Sequence, residues 1–97
     1  MPFDPALPRA FTDITVRQYV PAASGLYGLS NSRTWLYIGE SDNIRESLLG
    51  HLRNPDAVQS GGPPTGFVFE TCDRGSRSAR HDRLVREYTP AVHKLGR

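Results

Sequence analysis

Gly25-Leu26-Tyr27, followed ten residues on by Tyr37-Ile38-Gly39, is the pair of triplets on which the architecture turns. Residues 25–29 and 34–38 are short β-prone runs, and Asn31-Ser32-Arg33 between them is a polar turn, so the stretch reads as a β-hairpin. Strand alternation puts Tyr27 on one face with Gly25 and Leu29, and Tyr37 on one face with Trp35 and Gly39. Two tyrosines paired across a hairpin are most often packing residues.

Downstream of Gly39, Ser41 or Asp42 can cap a helix running to about Leu52, with Ile44, Leu48 and Leu52 one turn apart along its apolar stripe. Asn54-Pro55 stops that helix. The stretch from Val58 to Thr65 carries Gly61-Gly62-Pro63-Pro64 and reads as loop. It does not open directly into a helix, so it is no phosphate cradle. Gly66 to Cys72 is a third strand, and Arg77 to Tyr88 a last helix with Leu84, Val85 and Tyr88 inward, ended by Thr89-Pro90. Upstream, Pro2, Pro5 and Pro8 make residues 1–10 an extended or flexible arm. Phe11 to Val20 is open to two readings. Thr12 could cap a short helix with Ile14, Val16, Tyr19 and Val20 partly inward, or residues 15–20 could be extended. The order strand, strand, helix, strand, helix predicts an α+β fold, a small three-stranded antiparallel sheet flanked by helices, with residues 11–97 as a single domain.

Ninety-seven residues suffice for one small core. No apolar run exceeds four residues (Trp35 to Ile38), which argues against a membrane span or a signal-peptide core. Cys72 is the only cysteine, so no intrachain disulfide forms and a reducing, cytoplasmic setting is expected. The net charge is only +2, yet eleven of the twelve basic residues are arginine. Arginine forks onto phosphate and stacks on bases better than lysine, which leans towards a nucleic-acid partner; an arginine-rich codon usage would give the same bias.

The two triplets, the acidic or small residues after Gly39, Asn43 at the helix start, His51 near its end and Pro90 after the last helix together resemble the GIY-YIG nuclease superfamily. The resemblance runs over roughly residues 20–93. It implies a cleft in which the first tyrosine, Tyr27, helps activate water and the second, Tyr37, orients the scissile phosphate. In such nucleases an arginine eight residues after the second glycine stabilises the phosphate's developing charge, and a glutamate nine residues before the terminal proline holds one divalent metal. Here those positions are Ser47 and His81, and the asparagine often found twelve residues after the glutamate is His93. Arg45 lies roughly 200° around the helix from Ser47 and does not replace the arginine.

The resemblance therefore implies a GIY-YIG-like domain with a divergent nuclease site, binding nucleic acid (DNA first) or a protein partner through the old cleft. An alternative is an active metal-dependent endonuclease or phosphodiesterase rebuilt around Tyr27 and Tyr37 with His51 and His81. A protein-interaction module with a vestigial cleft is the third reading. If a divalent metal is used, the resemblance suggests magnesium. Imidazoles at His51, His81 and His93 would instead suit manganese, nickel or zinc. His81 is equally readable as a half-buried histidine in line with Leu84 and Val85. Candidate phosphate contacts are Arg45, Arg53, Arg74, Arg77 and Arg80, the last three lacking an acidic partner one turn away on their own helix. Asp82 with Arg86, and Arg83 with Glu87, have the spacing of helix ion pairs. Ser47 and His51, one turn apart, form at most a weak nucleophile and base pair, and Cys72 reads as a strand residue.

Overall fold

A computed structural model of the chain describes residues 8–31, 35–53 and 64–88. The hairpin forms as the sequence predicts: β2 (Gly25–Ser30) pairs antiparallel with β3 (Trp35–Ser41), placing Tyr27 opposite Gly39 and Leu29 opposite Tyr37. On its other side β2 pairs antiparallel with β4 (Gly66–Thr71), with Tyr27 opposite Phe69. β2 is thus an interior strand, and all six of its residues are buried.

The sheet has four strands, not three. Arg9–Ala10 forms a short β1 against β4, giving the order β1-β4-β2-β3. Two residues carry no alternation to read, and Pro8 argues against a strand. Pairing is what makes the strand, helped by Gly66: a side chain there would lie 3.1 Å from Pro8 Cβ and 3.5 Å from the Arg9 carbonyl.

A second correction concerns Trp35. Ser30 is opposite Trp35 but Leu29 is opposite Tyr37, so Leu36 is an extra residue in β3, a β-bulge. The bulge reverses the alternation. Trp35 turns to the other face and packs on Tyr88, ring centroids 4.7 Å apart, while Tyr37 faces His51.

The helices differ from expectation at their starts. Thr12 accepts from the Thr15 amide and begins α1 (Asp13–Tyr19), which settles the ambiguous segment as a helix. Val16 and Val20 point inward one turn apart, whereas Ile14 and Tyr19 are exposed, Tyr19 lying under the Arg9 guanidinium. α2 (Ile44–Arg53) is capped by Asn43, whose Oδ1 accepts from the Glu46 amide. Ser41 serves one step earlier, accepting from the Asn43 amide, and Asp42 is engaged elsewhere. α3 (Arg74–Tyr88) begins at Arg74 instead of Arg77 because Asp73 caps it through the Ser76 amide.

The sheet is covered on both faces. α1 and α2 pack on Tyr27, Leu29 and Phe67 through Val16, Ile44 and Leu48. α3 packs on Leu26, Ile38 and Val68 through Leu84 and Val85. Each fully buried leucine contributes about 1.5–3 kcal/mol. Ser32-Arg33, Asn54-Pro55, Gly61-Gly62-Pro63, Thr89-Pro90 and His93 lie outside the described residues. Among the described residues no helix is long and apolar enough to cross a membrane.

Candidate functional site

Gly25 fixes where α2 begins. A Cβ at this position would meet the Glu70 carbonyl and lie 2.6 Å from Ile44 Cδ1, so only glycine lets the helix start this close to the sheet. The Ile44 amide donates to the Ala23 carbonyl, and Arg45 Nε donates to the Val20 carbonyl, tying α2 to the end of α1. Two turns on from Ile44, His51 reaches the hairpin tyrosines.

There the structure brings together three of the residues singled out in the sequence. Tyr27 Oη and His51 Nε2 are 2.9 Å apart. The His51 ring lies 5.5 Å from each tyrosine ring, and the tyrosine rings are 6.0 Å from each other. Gly39 makes this possible. A Cβ there would fall 2.6 Å from Tyr27 and 2.8 Å from Tyr37, so the rings close over a position with no side chain.

Both polar groups are held neutral at physiological pH. Tyr27 is 4% exposed. Burial pushes its phenol above the ordinary tyrosine range, and the neighbouring Tyr37 adds to the shift by charge and by hydrogen bonding. Burial pushes His51 the other way, below its ordinary value. In the tautomer that carries its proton on Nδ1, the phenol donates to Nε2. Tyr27 is then a poor base for activating water, and His51 is the basic partner of the pair.

Ser47 occupies the position where the resemblance implies an arginine. Its Oγ lies 2.6 Å from Ser41 Oγ, so the hydroxyl joins the turn that leads into α2 and brings no positive charge. The side chain of His81 is 14% exposed, and α3, which carries it, covers the opposite face of the sheet from Tyr27. His81 Nε2 donates to the Ile38 carbonyl at 3.0 Å, and Nδ1 lies 3.5 Å from Asp82. No three His, Cys, Asp or Glu side chains come together in a metal-holding group among the described residues.

The arginines sort by what they touch. Arg77 reaches Asp42, Glu40, the Ser24 hydroxyl and the Ser41 carbonyl with its side chain 16% exposed. Arg80 forks onto both oxygens of Glu70, at 2.7 and 2.8 Å. Arg74 pairs with Asp42 and Arg53 with Glu46, both on the surface. The acidic partners missing from the helix register are therefore supplied by β3, β4 and the β3–α2 turn, which spacing along one helix cannot reveal. The Arg74 and Arg77 guanidiniums hold the Asp42 carboxyl below the usual carboxylate range. Cys72 lies just past β4, its thiol pushed up by burial and by Asp73 and Glu70, so it is not an activated nucleophile.

Neither a family model nor a curated protein matches this chain. Solved structures do. The GIY-YIG N-terminal endonuclease domain of UvrC from Thermotoga maritima, bound to magnesium, superposes with TM-score 0.62 at 19% identity, covering 79% of this chain and 93% of that one. The chain has a GIY-YIG-like fold. A point mutant of the same UvrC domain, also bound to its catalytic divalent cation, gives TM-score 0.64 at 17% identity with the same coverage. At such identities the GIY-YIG likeness establishes the fold.

Among the described residues, the donor set does not fit a cation held in the GIY-YIG manner. Hard divalent ions are held by oxygen ligands, usually with at least one carboxylate among them. The position implied for it carries His81, whose Nε2 is spent on a backbone carbonyl. Phe69, opposite Tyr27 and half-buried, was not singled out in the sequence. Its place beside Tyr27 depends on the β2–β4 register, which no local pattern gives.

Proposed function

We propose that the chain is a GIY-YIG-fold nucleic-acid-binding domain, with DNA as the first candidate, that does not cut by the route of the nucleases it resembles. The observation that carries this reading is the use made of the two divergent positions. Ser47 is bonded into the β3–α2 turn and His81 onto Ile38, so each serves the framework. A missing charge-stabilising group costs about 2.7–4 kcal/mol of transition-state stabilisation, and two such losses suppress cleavage by several orders of magnitude. Of the candidate phosphate contacts, Arg53 and Arg74 fit the role best, with side chains 68% and 75% exposed. Surface ion pairs of that kind are worth about 0–1 kcal/mol, so a phosphate can displace the carboxylate at little cost. Arg45, Arg77 and Arg80 serve the fold instead.

Two assays on the purified protein test this. A gel shift should show DNA binding that weakens with salt. Supercoiled plasmid incubated with Mg²⁺, Mn²⁺ or Zn²⁺ should remain un-nicked. Failure to bind would favour a protein-interaction module.

One observation favours a second reading, an active phosphodiesterase: the 2.9 Å contact between Tyr27 Oη and His51 Nε2, a neutral imidazole set against a phenol. Nicking that disappears in both Tyr27→Phe and His51→Gln would establish it over the first.

A further inference from the structure

The geometry points to an unpaired nucleobase, stacked beside Phe69, as the group that the tyrosine face receives. This rests on the nucleic-acid reading above and narrows it to single-stranded or locally unpaired substrates. Across the sheet, Phe69, Tyr27 and Gly39 stand in one row, and Phe67, Leu29 and Tyr37 in the next. Phe67 is fully buried and packs on Phe11. Phe69, 6.4 Å from Phe67 and nearly parallel to it, is only half-buried, as are Tyr37, His51 and Leu52 on the same side of the sheet. The half-exposed part of this face is therefore aromatic and apolar.

Its polar groups are matched to an uncharged ligand. Tyr27 and His51 are both neutral, and Ser47 stands where a cation is implied. Arg45, on the same helix as His51, is bonded to the Val20 carbonyl, and Arg77 and Arg80 are held by acids on the far side of the sheet. Among the described residues, the side chains set directly against His51 are uncharged rings. A planar base would meet the half-buried rings of Phe69 and Tyr37 and a hydrogen-bonding edge at His51. A duplex keeps its bases stacked inside and offers this face only phosphate and sugar. A single strand offers the bases themselves.

Phe69 is the residue to change, because it is neither tyrosine nor histidine and takes part in neither reading of the chemistry. The full chain is titrated with a fluorescein-labelled thymidine oligonucleotide, and with the same strand annealed to its complement. The wild type is expected to bind the single strand more tightly. Phe69→Leu should weaken single-strand binding about fivefold to a hundredfold, the range for loss of one base stack. Phe69→Tyr should restore it, and duplex binding should be unchanged in both. Equal affinity for the two probes, with Phe69→Leu binding both like the wild type, overturns this inference and leaves the nucleic-acid reading standing. No binding of either probe overturns both.

Discussion

The two faces of the sheet use their polar residues in opposite ways. On the α3 face every charged or basic group that reaches inward is bound to the framework: Arg80 to Glu70, Arg77 to the β3–α2 turn, His81 to the Ile38 carbonyl. On the α2 face Tyr27 and His51 are bonded to each other, with the Tyr37 ring against both. The first arrangement holds a helix in place. The second does nothing evident for the fold that a pair of apolar rings would not do. Burial shifts both groups away from their ordinary titration, which makes this pair, on the α2 side, the candidate site.

The sharpest way to break this comparison is Arg80→Ala. Arg80 and Glu70 have side chains 17% and 19% exposed, and removing the guanidinium leaves Glu70 half-stranded against α3. A loss of about 2 kcal/mol in urea denaturation is expected. Replacing both, as Arg80→Met with Glu70→Leu, should recover most of it, since the stranded charge is what costs. A single variant as stable as wild type would mean that the α3 face does not depend on its ion pairs.

Next in size is Gly39→Ala. The added methyl meets both tyrosine rings, and overpacking of this kind costs about 1–3 kcal/mol. Near-ultraviolet circular dichroism should change with it, because the tyrosine pair must open. An unchanged spectrum would show that the rings do not close over Gly39.

How much of this was legible in the residues depends on range. The hairpin, α2 and its apolar stripe were readable because Gly25, Tyr27, Ile44 and Leu48 carry local periodicities. Tyr27, Tyr37 and His51, each readable as a candidate from its place in the sequence, are neighbours in the fold. What stayed hidden was set by pairing between distant segments. β1 exists only because β4 is beside it, and the Leu36 bulge only because β2 sets the register. Arg74, Arg77 and Arg80 looked free because their acids lie on other elements. Asp82, which has the spacing to pair with Arg86, stands beside His81 instead. Phe69 was passed over for the same reason, as a strand aromatic with no partner visible from its neighbours.

On the α2 face the changes should be smaller. Tyr27→Phe removes one hydrogen bond and keeps the ring, so about 1 kcal/mol or less is expected from thermal or urea unfolding. A much larger loss would mean that the pair holds the fold after all, and the two faces would then be alike.

The smallest effect is the pH dependence that His51 imposes. Its pKa in the folded protein is below that of the unfolded chain, because burial disfavours the cation. Above about pH 6.5 the imidazole is neutral in both states and contributes no slope. As pH falls below that value the unfolded chain takes up a proton that the folded protein refuses, so stability declines until the folded pKa is reached and then levels. His51→Phe keeps a ring against Tyr27 and Tyr37 and removes the titration. The difference between wild type and variant should therefore widen in the variant's favour between about pH 6.5 and the folded value. A slope that persists unchanged in His51→Phe would mean that His51 is not the buried neutral partner of Tyr27, and the contrast between the two faces would lose its titrating member.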